Sequence, residues 1–287
     1  MSRRAATFTG GGAILLWATL AWMTAASGSV PPFLLTALTF GIAFGLALAG
    51  WLARGENPLA RLRLPWAAWA LGVGGLFGFH ALYFLALRLA PPVEASLICY
   101  LWPLLIVLLS GRGLRAPHIL GALLGALGAA LVIGRDGVRP DPAFLPGYVA
   151  ALAAAFVWAG YSLLSRRLPQ VPSDAVGGFC GAVAALATLC HLTFETATWP
   201  SGGQWFAVIG LGLGPVGIAF LLWDVGVKRG DIRALGAAAY AAPLLSTLLL
   251  MATGTTAFAW PILIAAVLVT AGGLLAASDL RRTSKQA

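Results

Sequence analysis

Ten runs of about 20 apolar residues follow one another along this chain, and a run of that length can cross the hydrocarbon core of a bilayer as a helix. Their approximate limits are 7–26, 31–53, 66–87, 92–111, 116–134, 146–166, 175–194, 203–226, 232–252 and 258–278. The longest loops, 54–65 and 135–145, are too short to form a domain. The expected fold is therefore all-α and integral to the membrane, with ten transmembrane helices. Composition agrees: 9% of the residues are charged, against about a quarter in soluble domains.

A net charge of +9 would ordinarily raise the question of nucleic acid. Here the cations sit in short clusters between apolar runs, which is the positive-inside pattern of a membrane protein. With the N-terminus inside, the cytoplasmic segments hold Arg3, Arg4, Arg54, Arg61, Arg63, Arg112, Arg115, Arg166, Arg167, Lys228, Arg229, Arg233, Arg281, Arg282 and Lys285. Only Arg88, Arg135 and Arg139 of the 18 basic residues remain outside. Both termini are expected in the cytoplasm, and nucleic acid is excluded as a partner. The lipid bilayer is the surrounding medium. The N-terminal Arg3 and Arg4 before an apolar run imitate an export signal, but further runs follow at once, so a retained first helix is expected. The oligomeric state is left open, with a monomer compatible.

The two halves of the chain resemble each other. Residues 96–105 read SLICYLWPLL and residues 236–245 read GAAAYAAPLL. A shift of 140 places Tyr100 on Tyr240, Pro103 on Pro243 and Arg88 on Lys228; a shift of 141 places Trp17 on Trp158. Five helices are an odd number, so the second copy enters the membrane from the opposite side. This is a 5+5 inverted-topology repeat, an architecture of secondary transporters. The expected division is 1–134 for the first five-helix repeat, 135–145 for a periplasmic connector and 146–287 for the second repeat. Gly41/Gly45, Gly74/Gly78, Gly121/Gly125 and Gly177/Gly181 are spaced for close helix approach.

Polar groups deep in apolar runs are the candidates for function, because lipid makes them costly. His80 lies near the middle of the third helix with Tyr83 one turn on. Two readings are open for it, ligand contact or gating, and a simple bond to a neighbouring backbone carbonyl. Trp17, Tyr83, Tyr100, Trp102, Trp158 and Tyr240 are interior aromatics. With His80 they are the candidate lining of one central cavity, where Trp17 would face Trp158. Pro103 and Pro243 should each free a backbone carbonyl and kink their helices, which makes them candidate hinges. Tyr100 and Trp102 lie 200° apart on an ideal helix, so both reach one cavity only if the kink turns them. Asp224 and Lys228 are spaced to pair along one helix face. The three cysteines, Cys99, Cys180 and Cys190, fall in apolar runs without metal spacing.

No paired-carboxylate site, metal cluster or nucleophile elbow is found, so there is no catalytic residue, metal or cofactor to assign. An intramembrane lipid-modifying enzyme would need such a cluster near one interface. A phosphate-bearing substrate would want cations facing the cavity, and none is expected near the midplane. A zwitterion with an apolar or aromatic side chain fits better, since its ring can stack on Trp and Tyr and its ammonium can approach their faces.

With this repeat, YLWP (100–103), VWAGYS (157–162) and WDVGVKRGDIRALGAAAYAAPLLST (223–247), the chain resembles the drug/metabolite transporter superfamily, EamA type, and within it the YddG-type branch. The resemblance implies a bacterial inner-membrane exporter of aromatic and other neutral amino acids that works by alternating access. An exporter of another small amphipathic metabolite or drug is the alternative. Where the branch carries SYxxP in the ninth helix, this chain has Ala239 before Tyr240.

Overall fold

The computed structural model describes residues 1–109, 116–133, 141–165, 167–168, 170–230, 235 and 238–282. Arg112, Arg115, Arg135, Arg139, Arg166, Arg233, Lys285 and residues 135–140 of the expected connector lie outside the described residues. The fold is all-helical. Among the described residues, six helices are long and apolar enough to cross a membrane: Arg3–Ala26, Pro32–Ala53, Trp66–Leu89, Pro142–Ser165, Ala175–Phe194 and Gln204–Arg229. Shorter apolar helices cover Pro92–Leu105, Ala242–Ala252 and Trp260–Leu275. The chain is a multi-pass membrane protein. Large apolar side chains such as Leu15, Leu123, Phe156 and Phe206 are exposed on the outer faces, where lipid rather than water would meet them.

In finer detail the helices are α1 (Arg3–Ala18), α2 (Leu20–Ala26), α3 (Pro32–Ala53), α4 (Pro58–Arg61), α5 (Trp66–Leu89), α6 (Pro92–Cys99), α7 (Trp102–Leu109), α8 (Ala116–Ile133), α9 (Leu145–Ser165), α10 (Ala175–Phe194), α11 (Gln204–Leu213), α12 (Ala219–Arg229), α13 (Ala242–Ala252) and α14 (Trp260–Arg282). Proline opens α3, α4 and α6 at the first helical position, where its missing N–H costs nothing and its fixed φ suits the helix.

The run 92–111, expected as one kinked helix, is broken into two. The α6 helix stops at Cys99, Tyr100 and Leu101 form a turn, and α7 starts at Trp102 with Pro103 second. The same happens 140 residues later. Tyr240 and Ala241 form a turn, and α13 starts at Ala242 with Pro243 second. Each proline removes the donor that would have bonded back across the turn. Between α11 and α12, residues 214–218 (GPVGI) form a π-helical turn.

The most extensive helix pairings are α8 with α14, α5 with α9, α3 with α10 and α1 with α12. Small residues allow several of them. A Cβ on Gly10 would lie 2.9 Å from the Cα of Gly226, where α1 crosses α12. A Cβ on Gly177 would lie 2.3 Å from that of Ala47, where α10 meets α3. The expected role of the paired glycines holds only in part: Gly41, Gly45 and Gly74 face open space, with nothing within 4 Å of an added Cβ. Spacing alone puts two glycines on one face and does not say that the face meets protein.

Candidate functional site

Five helix segments bring aromatic side chains to one point in the bundle. Trp17 comes from α1, Phe79, His80 and Tyr83 from α5, Trp102 from α7, Trp158 from α9 and Phe220 from α12. Tyr100, from the turn after α6, joins them with Leu20 and Cys99. The broken helix is what lets Tyr100 and Trp102 share the cavity: the turn at Tyr100–Leu101 resets the helical phase. Both side chains are buried. The free volume among these groups is about 30 Å³, room for about two waters and too little for an amino acid.

The rings fill the centre by packing on each other. Trp17 meets Trp158 edge to face, with centroids 5.6 Å apart and planes at 85°. Trp158 also touches Phe79 at 4.9 Å, Phe220 at 5.7 Å and Trp102 at 6.3 Å. Phe79 stacks on Tyr83 at 5.7 Å with planes 7° apart. Trp223 of α12 lies behind Trp17 at 5.0 Å. Edge-to-face and offset contacts are the arrangements that aromatic quadrupoles favour.

Three hydrogen bonds fix the lining. Trp17 Nε1 donates to the Pro215 carbonyl at 3.0 Å, within the π-helical turn. Tyr100 donates through its hydroxyl to the Trp17 carbonyl at 3.1 Å. His80 Nδ1 lies 3.0 Å from the Leu76 carbonyl of its own helix. In the neutral ring that nitrogen is then the donor and Nε2 the acceptor. The backbone-carbonyl bond of the second reading is present, and the ring also lines the cavity. Rings of Phe40, Phe79 and Phe220 surround it at 4.8, 4.9 and 5.4 Å. The hydroxyls of Tyr83 and Ser96 are buried without a hydrogen-bond partner.

Tyr240 is elsewhere. It is buried, but it is not part of the cavity lining, and its ring lies over Gly273 of α14, where an added Cβ would come within 1.8 Å of it. The sequence shift matched Tyr240 to Tyr100 correctly in position along the chain, yet the packing of α13 on α14 turns it outward from the centre. Phe79, Phe220, Leu20 and Cys99 are lining residues that the sequence reading missed. A signal for Phe220 was present, since the shift of 140 from His80 lands on it and the two rings touch at 5.4 Å.

One end of the bundle opens into a vestibule of about 990 Å³ lined by Arg54, Glu56, Arg61, Asp174, Asp224 and Lys228. Arg61 bridges Glu56 at 2.7 Å and Asp174 at 3.3 Å. The hydrogen bond from Arg54 holds the Glu56 carboxyl below the usual carboxylate range. Deeper in, Asp224 and Lys228 also line a small cavity with Tyr161 and Phe179. Tyr161 in turn touches Trp158 at 5.3 Å. A line of packed side chains therefore joins the vestibule to the aromatic centre. At the opposite end, Glu195 accepts from the backbone amides of Phe33 and Leu34 at 2.8 and 3.0 Å and from His191 Nδ1 at 2.9 Å. That fastens the end of α10 to the start of α3, where a carboxylate suits the helix N-terminus.

The profile of the EamA-like transporter family matches this chain twice, over residues 5–134 and 145–278. The chain belongs to the EamA-like transporter family. The aromatic amino acid exporter YddG of Ancylobacter novellus is 52% identical over 98% of this chain and 100% of the relative. The YddG exporter of Escherichia coli is 25% identical, again over 98% and 100% of the two chains. A crystal structure 53% identical in sequence, covering 98% of this chain and all of its own, superposes with a TM-score of 0.79.

Proposed function

We propose that this EamA-family transporter exports aromatic and other neutral amino acids across the bacterial inner membrane, by alternating access through the aromatic centre. The observation that carries the reading is that centre: a narrow cavity of Trp, Tyr, Phe and His on a chain half identical to an aromatic amino acid exporter. Trp17, His80, Tyr83, Tyr100, Trp102 and Trp158 are the substrate-contacting residues in this reading, and Pro103 and Pro243 are the hinges. The rings take the substrate's side chain. The buried hydroxyl of Tyr83, which lines the cavity, is the group placed to meet its polar end.

The reading includes ten spans in two inverted halves, 1–134 and 146–287, with both termini in the cytoplasm. The helix pairings support it. If the second half repeats the first, α9 stands for α1, α10 for α3, α12 for α5 and α14 for α8. Exchanging the halves then turns the α1–α12 pairing into α9–α5 and leaves α3–α10 and α8–α14 unchanged. The four strongest pairings form a set closed under that exchange, as a twofold relation requires. The paired breaks at Tyr100–Leu101 and Tyr240–Ala241 obey it too.

Counterflow of labelled phenylalanine into proteoliposomes preloaded with amino acids, with and without a proton gradient, tests the function. Uptake that competing aromatic amino acids suppress is expected; its absence, or competition only by unrelated amphipaths, would overturn the reading. For topology, a cysteine at position 56 should be protected from an impermeant thiol reagent in intact cells and one at position 255 should be labelled.

A further inference from the structure

Arg88 stands in the last turn of α5 and Lys228 in the last turn of α12. Each reaches across to one short loop. Arg88 donates through Nη2 to the Val30 carbonyl at 2.7 Å and to Ser27 Oγ at 3.2 Å, and through Nη1 to the Gly28 carbonyl. Lys228 donates through Nζ to the Val171 carbonyl, also at 2.7 Å, and lies 2.8 Å from Asp224 Oδ2. Val30 precedes Pro31 and Val171 precedes Pro172. The next helix starts directly after Pro31, at Pro32 in α3, and three residues after Pro172, at Ala175 in α10. The valines are 141 positions apart and the cations 140, the same two shifts that relate the halves. One contact is therefore made twice, at opposite ends of the bundle: Lys228 at the charged vestibule, Arg88 at the end where Glu195 caps α3.

We propose that Arg88 and Lys228 are the two gate latches of the transport cycle, each clamping the Val–Pro corner of its own half, and that only one is released at a time. The proposal rests on the exporter reading above. Charged donors bond more strongly than neutral ones, and a buried carbonyl left without a donor is costly. A corner so held is either clamped or free, which gives the two-state element that alternating access needs. Both latches are made in this structure, and the cavity between them has only about 30 Å³ free. That is the expected state with both gates shut.

The two latches differ in strength. Arg88 spreads its donors over three acceptors and is half buried. Lys228 grips one carbonyl, and its side chain is 27% exposed towards a vestibule that water can fill. Asp224 lets it open: when the Val171 carbonyl leaves, the ammonium keeps a carboxylate partner. One turn back from Arg88 stands Phe84 in place of an acid; the carboxylate that acts on Arg88 is Glu195, just past the end of α10. The Lys228 gate should thus be the looser one.

The test uses the full chain in proteoliposomes, with spin labels at positions 170 and 229 on the Lys228 face, or at 29 and 89 on the Arg88 face. The native cysteines are replaced by alanine, and this background is first shown to support counterflow. Lys228→Met should raise the open-to-closed ratio at the 170–229 pair about tenfold (about 1.4 kcal/mol) and lower it at the 29–89 pair. Arg88→Met should do the reverse. The double variant should return both pairs towards the unmutated balance. Should Arg88→Met not fold, Arg88→Lys keeps the charge but loses the guanidinium fork and should shift the pairs the same way by less. Variants that move both pairs in one direction, or neither, in a background that transports would overturn the latches. Loss of counterflow by the native chain itself would instead overturn the exporter reading.

Discussion

Replacing Trp102 with leucine keeps an apolar side chain at the cavity wall and removes its ring. The ring makes two edge-to-face contacts within the protein, with Trp158 at 6.3 Å and Trp223 at 6.2 Å. At about 0.5–1.5 kcal/mol each, their loss amounts to roughly 1–3 kcal/mol of packing, part of which leucine restores. A bound aromatic substrate loses one further contact of the same kind, and an alanine substrate loses none. The preference for phenylalanine over alanine should therefore fall by about two- to tenfold, the range that roughly 0.5–1.4 kcal/mol implies. Counterflow with the two labelled amino acids at matched concentrations measures it, and thermal unfolding in detergent checks that the variant is folded. Tyr240→Phe is the control, because that ring lies over Gly273 and away from the cavity. If Trp102→Leu leaves the ratio unchanged, or Tyr240→Phe alters it as much, the aromatic centre is packing and recognition happens elsewhere.

Pro103→Ala and Pro243→Ala should each slow counterflow while leaving the protein folded, because a restored backbone donor lets the two halves of the broken helix join. Normal rates in both single variants and in the double would remove the breaks from the gating machinery. His80→Ala should weaken transport, and His80→Phe tells why: it keeps a ring among Phe40, Phe79 and Phe220 but lacks Nε2. Wild-type transport by His80→Phe would assign His80 to packing alone.

The helices, and the two prolines that interrupt them, were legible in the sequence because lipid imposes a length and an apolar content on every span, and because proline acts on its own helix; that the kink would be a full break was not. The central position of Trp17, Tyr100, Trp102 and Trp158 was legible for the same kind of reason: amphipathic rings have few places to go inside a membrane other than a protein interior. Phe79 and Phe220 were not, since phenylalanine is equally at home against lipid and only the tertiary contacts decide. Trp223 was passed over although the shift of 140 from Tyr83 falls on it. Tyr240 was placed wrongly because chain equivalence between the halves does not guarantee equal packing; α13 rests on α14, where Gly273 leaves a flat bed for the ring. The Asp224–Lys228 pair was visible at i and i+4, while the hold of Lys228 on Val171 spans 57 residues and nothing local announces it.

The nearly solid centre also bears on how this carrier runs when it has nothing to carry. Many exchangers depend on cargo to fill the gap between their halves, so that an unloaded carrier stalls and one molecule must come in for each that leaves. Here Trp17 of the first half packs directly on Trp158 of the second, with ring centroids 5.6 Å apart. Contact across the two halves is thus made by the protein's own side chains. The return journey then has no need of a passenger, and net efflux should proceed about as fast as exchange, a comparison that vesicles with and without amino acid outside make directly. For a cell shedding a surplus, that is the difference between bartering one molecule for another and letting the excess drain away.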